Sequence, residues 1–206
     1  QENGAYLATT MVDWQTNLNC DPSFATWTDA TGPNERLPIN CIDWYEAYAF
    51  CIWDGGFLPS EAEFEFAAAG GGEQREYPWG STDPGTSNAY VITNCYYPNG
   101  PTGPGQQGAC MGAENIAPVG TAVMGAGKWG QLDLAGDMTE WILDYNAPYV
   151  TPCVDCVFLT DVSYKEQRGG GWNPTDPEDL FSASRGLGDN PEDRAIVDGV
   201  RCARSP

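Results

Sequence analysis

Histidine is absent from this chain of 206 residues, and its 29 aspartates and glutamates face only 9 lysines and arginines, a formal charge of −20. The first absence removes imidazole as a metal ligand or general base. The second removes the clustered cations on which phosphate binding rests, which excludes nucleic acid and anionic membrane surfaces and leaves cations as the natural counterparts. No apolar run approaches the roughly 20 residues that span a bilayer. No signal peptide heads the chain, so a secreted form is expected to have lost one already. G-x-S-x-G elbows, phosphate-cradling loops and dinucleotide fingerprints are missing too.

What is present points to a loop-rich globular domain. Charged residues are only 18% of the chain, with 25 Gly and 16 Pro, which fits neither a coiled coil nor a disordered acidic tail. The length suits a single domain over 1–206 with a real core. Eight cysteines, an even number, imply disulfides made in an oxidising compartment, outside the cytoplasm. With Cys51 and Cys202 set aside, Cys20 with Cys41 and Cys95 with Cys110 are the simplest remaining non-local pairs. Cys153 and Cys156 form a CxxC, for which a local structural disulfide is favoured over a redox dithiol or half of a zinc site. No helical pattern follows it to lower a thiolate pKa, and zinc would need two further ligands without histidine.

Along the chain, residues 1–37 are polar and broken by Pro and Gly, with Tyr6, Trp14, Phe24 and Trp27 as anchors. Trp44, Ala47, Tyr48, Cys51 and Ile52 recur at helical spacing behind a capping Asp43, which predicts a helix to Trp53 closed by Gly55 and Gly56. Ser60 and Glu63 form a capping box that opens a second helix to about Ala69, ended by Gly70 to Gly72. The stretch from Tyr77 to Trp129 is too long for a free loop and must be stapled, cation-bound or functional. Short strands are expected near Thr139 to Leu143, Gln167 to Gly169 and Val197 to Ala203. The order gives an α+β domain.

Four blocks then carry a resemblance: LPSEAEFEFAAAGG (58–71), WGQLDLAGDMTEW (129–141), RGGGW (168–172) and GVRCAR (199–204). From about Pro38 to Arg204 the chain resembles the formylglycine-generating enzyme, or sulfatase-modifying factor, family. That resemblance implies a C-type-lectin-like fold with two helices early and short antiparallel strands late, and a Cys51–Cys202 disulfide tying the domain ends. Family strands that precede the equivalent of Tyr6 are missing, so a copy truncated at its N-terminus is expected. The family's copper-binding cysteine pair would fall on Pro174 and Asp179, neither of which is a thiolate, and its iron-binding members use histidine clusters that this chain lacks.

The resemblance implies calcium instead. AGDMTEW is similar to the family's GNxWEW calcium loop, placing Asp137 and Glu140 as side-chain ligands with Gly136 and Met138 as carbonyl donors; carboxylates suit this ion. A second family calcium site would use Asn88, after YPWG, and Glu114. The segment 172–194 lies where the family sets its active-site floor and where lectin-like variable proteins bind ligands. Trp172, Asn173, Asp176, Arg185, Asn190 and Arg194 combine an aromatic, amides, a carboxylate and guanidinium forks suited to sugars, peptides or protein. Against this stand a core Trp172 and arginines spent on Asp179, Asp189 or Asp193. The reading is a secreted, bacterial, calcium-stabilised binding or assembly domain that contacts a protein, a glycan or copies of itself. An enzyme using an unrecognised site is the alternative.

Overall fold

A computed structural model describes residues 20–154, 156–160 and 162–205. Tyr6 and Trp14 lie outside the described residues. Two helices, α1 (Trp44–Trp53) and α2 (Glu61–Ala68), precede a three-stranded sheet of β1 (Thr139–Tyr145), β2 (Lys165–Arg168) and β3 (Asp198–Gly199), ordered β2-β1-β3. The connections are loops with short 3-10 turns. β1 pairs antiparallel with β2, while β3 runs parallel to β1 through Thr139↔Asp198 and Glu140↔Gly199. The third strand is thus shorter than expected and of opposite sense. Beyond it the described residues make only an isolated bridge, Ala203 to Phe57.

Both helices start where local chemistry demands. Asp43 accepts from the Glu46 amide (2.8 Å) and Glu46 accepts from the Asp43 amide (3.0 Å). Ser60 and Glu63 repeat the exchange at α2 (3.2 and 2.8 Å), so donors otherwise orphaned in each first turn are satisfied. α1 packs on β1 through Trp44, Ala47 and Cys51. The Trp44 indole donates to the Ile142 carbonyl (2.8 Å) and the Trp141 indole to the Ile42 carbonyl (2.9 Å), a reciprocal clamp between helix and central strand. Tyr48 and Ile52, expected in that buried stripe, are exposed. α1 has a second apolar stripe, and only the narrower one, 44/47/51, meets the sheet.

All four disulfides form: Cys20–Cys41, Cys51–Cys202, Cys95–Cys110 and Cys153–Cys156, leaving no free cysteine. Mass analysis of unreduced protein should therefore find four bonds and no alkylatable thiol; any stoichiometric free thiol contradicts this pairing.

Under α2 sits a buried charge cluster. Arg168, 2% exposed, pairs with Glu65 and lies 3.5 Å from Glu61; Arg185 pairs with the fully buried Glu166 and lies 3.5 Å from Glu61. Tyr149 donates its hydroxyl to Glu61 (2.8 Å), and Asp144 accepts the Glu61 and Phe158 amides. Three carboxylates thus face two guanidinium groups. Burial pushes the Glu61 carboxyl up to about 7, opposed in part by Arg168. Its folded pKa lies above the unfolded one, so its contribution is complete below about 4.5 and is lost as pH rises through 7. Urea midpoints should fall over that window, and Glu61→Gln should flatten the fall; an unchanged profile in the variant would assign the titration elsewhere.

Candidate functional site

The calcium-type block folds into the wall of a cavity of about 270 Å³, lined by Pro38, Val119, Asp133, Asp137, Met138, Glu140, Val200 and Arg201. Gly136 sets the approach: at φ +74°, a Cβ there would lie 2.4 Å from Val91 Cγ2 and 2.5 Å from the Ile92 carbonyl. This turn delivers Asp137, itself left-handed at φ +63°, with its backbone pinned by Ile92 and Trp172 (2.8 and 3.0 Å). Asp137 Oδ1 accepts from the Ala117 amide (3.1 Å), and Asp133 Oδ2 from the Gly120 amide (2.6 Å). Glu140 comes from β1 and is gripped by both forks of Arg201 at 2.9 Å. Arg201 also donates to the Leu132 and Asp133 carbonyls, each at 2.9 Å.

Three carboxylates therefore border one cavity with a single guanidinium. Burial raises the Asp137 carboxyl to about 8, and the charges of Asp133 and Glu140 add to the rise. Burial also raises Glu140, outweighing the attraction of Arg201. Such a net negative, desolvated site favours a cation. The fit to calcium is partial. Asp137 and Asp133 each keep an oxygen without a hydrogen bond from the described residues, but both oxygens of Glu140 face Arg201 and the Gly136 carbonyl already accepts from Met138 (2.9 Å). Among the described residues no three acidic or thiol groups converge tightly enough to ligate one ion. Sequence reasoning missed Asp133 and Arg201. Asp133 stands one helical turn's spacing before Asp137, a usable signal, whereas Arg201 reaches the loop only through the fold.

The second candidate pair is not brought together. Asn88 is in the left-handed region, donates to the Tyr96 carbonyl (3.2 Å) and leaves its buried Oδ1 without a partner. Glu114 is exposed; its neighbour Asn115 is the buried residue, bonding the Met111 amide (2.8 Å) and the Tyr97 carbonyl (2.7 Å). An oxygen for a cation is present at Asn88, but no contact with Glu114 is.

The proposed ligand face is largely consumed by structure. Trp172 is fully buried, stacked on Phe24 at 5.4 Å with its indole toward the Ile196 carbonyl (3.3 Å), so it is core and not a platform. Arg185 is held by Glu61 and Glu166 and lies 4.5 Å over the Tyr149 ring, and Arg194 is held by Asp43 and Glu46. Their carboxylate partners come from the helices and β2, not from Asp179, Asp189 or Asp193. Asn173 is half-buried with its carbonyl bonded to Asn94 (3.0 Å); only Asp176 and Asn190 are exposed. A copper or iron centre does not fit either: Pro174 and Asp179 are exposed, every cysteine is bonded and histidine is absent.

A family profile described as the sulfatase-modifying factor enzyme 1-like domain matches residues 2–206. The chain belongs to this family. Among curated relatives, the sulfatase-modifying factor domain is 28% identical over 191 residues to the inactive C-alpha-formylglycine-generating enzyme 2 of Mus musculus, covering 88% of this chain and 55% of that protein. It is 31% identical over 176 residues to the hercynine oxygenase of Mycobacterium tuberculosis, covering 81% of this chain and 36% of that protein. The chain thus spans about half, or less, of the length of these relatives. PvdO from Pseudomonas aeruginosa superposes with a TM-score of 0.63 at 23% identity, covering 86% of this chain and 64% of that one, which shows a shared fold.

Proposed function

We propose that this sulfatase-modifying factor domain is a non-catalytic binding or assembly module that works outside the cytoplasm and takes calcium in the Asp133/Asp137 cavity. One observation carries the reading: the donor set for the family's redox metals is gone, with eight cysteines locked in four disulfides, no histidine, and Pro174 and Asp179 at the expected copper positions. A relative described as inactive supports it. The disulfides support an oxidising location, and no helix among the described residues is long and apolar enough to cross a membrane. Calcium would be held by the carboxylates of Asp137 and Asp133, with Arg201 keeping Glu140 at the cavity edge, and its role there is to neutralise the loop. A protein or glycan partner remains part of the proposal, although the 172–194 segment offers only Asp176, Asn190 and part of Asn173 to meet it.

Hercynine oxygenase among the relatives favours a second reading, an enzyme with a donor set of its own. Elemental mass spectrometry beside a thiol count separates the two. Calcium without free thiols agrees with the module, and stoichiometric copper or iron, or a reactive thiol pair, establishes the enzyme. For calcium itself, saturation at a hundredfold excess over Kd is worth about 2.7 kcal/mol, or about 5–10 °C in Tm for a chain of this size. Chelator should remove that shift, and Asp133→Asn with Asp137→Asn should abolish the chelator effect; melting unaffected by chelator in the native protein removes calcium from the account.

A further inference from the structure

α1 is apolar on both sides. Its inner stripe, Trp44, Ala47 and Cys51, is buried, whereas Tyr45, Tyr48, Ala49, Ile52 and Trp53 recur outward at i, i+3, i+4, i+7 and i+8 beside Phe50. Trp53 is 80% exposed, Ile52 53% and Phe50 48%. A helix hydrophobic all round is normally covered on all sides. We infer that this outer face is the contact between two copies of the chain, with the α1 helices packed antiparallel about a two-fold axis.

Charge selects this occupant. The chain carries −20, and most of its surface repels another copy. The outer stripe of α1 contains no charge, and the helix's single acid, Glu46, is already paired with Arg194. Each end of the helix carries a mixed-sign group: Asp43, Glu46 and Arg194 at the start, Asp54 with Arg204 at the finish. Arg204 is the most exposed ion-paired cation, its side chain 61% accessible. A two-fold axis sets the start of one helix over the finish of the other, so at each end a mixed-sign group faces a mixed-sign group instead of bare acid, and the helix dipoles oppose favourably. A parallel arrangement would stack like ends.

Size fits a weak complex. With aromatic side chains offering about 150–250 Å² each, the exposed fractions amount to on the order of 500 Å² per copy. About 1,000 Å² in total is the low end of specific interfaces, where association is reversible. The helix supplies a contact about 15 Å long. This inference deepens the assembly half of the proposed function and rests on it for its use. Its test reads oligomeric state, which the metal and thiol counts do not touch.

Sedimentation velocity over a range of concentrations, on the full chain with its disulfides intact, tests it. The native protein is expected to dimerise at roughly micromolar concentrations, more tightly at higher salt, because salt screens the repulsion between acidic surfaces while apolar contact persists. Trp53→Glu should weaken dimerisation at least tenfold, and Arg204→Glu should weaken it to a smaller degree. Both side chains are exposed, so far-ultraviolet dichroism and melting should remain native. Val154→Glu, 91% exposed on the apolar loop between β1 and β2, should leave the dimer intact. A monomer at every concentration overturns the inference. So does a dimer that survives Trp53→Glu or yields to Val154→Glu.

Discussion

Replacing Arg168 by methionine should lower the unfolding free energy by about 3–5 kcal/mol, the cost of stranding buried charge when one partner of an ion pair is removed. Arg168 is 2% exposed and serves several acceptors at once, the carboxylate of Glu65 and the carbonyls of Ser182 and Ser184 among them, with Glu61 at 3.5 Å. Without it, Glu65 loses its cation and Arg185 alone opposes Glu61 and Glu166. The loss should shrink toward acid, where those carboxylates take up protons, and it should be far smaller if Glu61 and Glu65 are made apolar in the same protein. Urea unfolding at two pH values reads both. A loss below about 1 kcal/mol at neutral pH would mean that the cluster relaxes or hydrates on losing its cation.

Joint replacement of Cys51 and Cys202 by alanine should cost a similar amount, about 4–5 kcal/mol, because the bond closes a loop of 151 residues and removes that much chain entropy from the unfolded state. The bond also joins α1 to the segment after β3. The corresponding change at Cys20 and Cys41, separated by 21 residues, should cost less, about 3 kcal/mol. Measured by denaturant titration, the order of the two losses is the critical result. If the short loop costs more, native packing rather than loop entropy sets the value of these bonds. Either loss is a large share of the 5–15 kcal/mol that holds a typical domain together.

Local chemistry explains what could be read in advance. Capping boxes at Asp43/Glu46 and Ser60/Glu63 involve residues three apart, and both helices begin where those boxes place them. The family blocks located β1 and the Cys51–Cys202 bond, because those sequences are tied to one fold. Periodicity predicts α1 but not its orientation, for a physical reason: when both faces are apolar, spacing cannot say which stripe is inside, and Tyr48 and Ile52 face out while Trp44, Ala47 and Cys51 face in. Long-range electrostatics was equally invisible. Nothing near Glu140 in sequence announces Arg201, 61 residues away, and nothing near Arg185 announces Glu61. The 172–194 segment looked like a recognition surface because it gathers aromatic and forked side chains, but the same side chains were needed to hold loops to helices. Arginine is scarce, and the interior had first claim on it.

That claim has a colloidal consequence. Lys165 and Arg168 are buried outright, and Arg185, Arg194 and Arg201 lean inward onto carboxylates, so five of the nine cations neutralise the interior while most acids remain at the periphery. Buried acids accompany those cations, so the interior is not positive; the surface keeps the excess of acid, and the molecule meets its solution as a polyanion that draws an ionic atmosphere of cations around it. Its behaviour in concentrated or divalent-rich solution is then governed by that ionic atmosphere as much as by any single site.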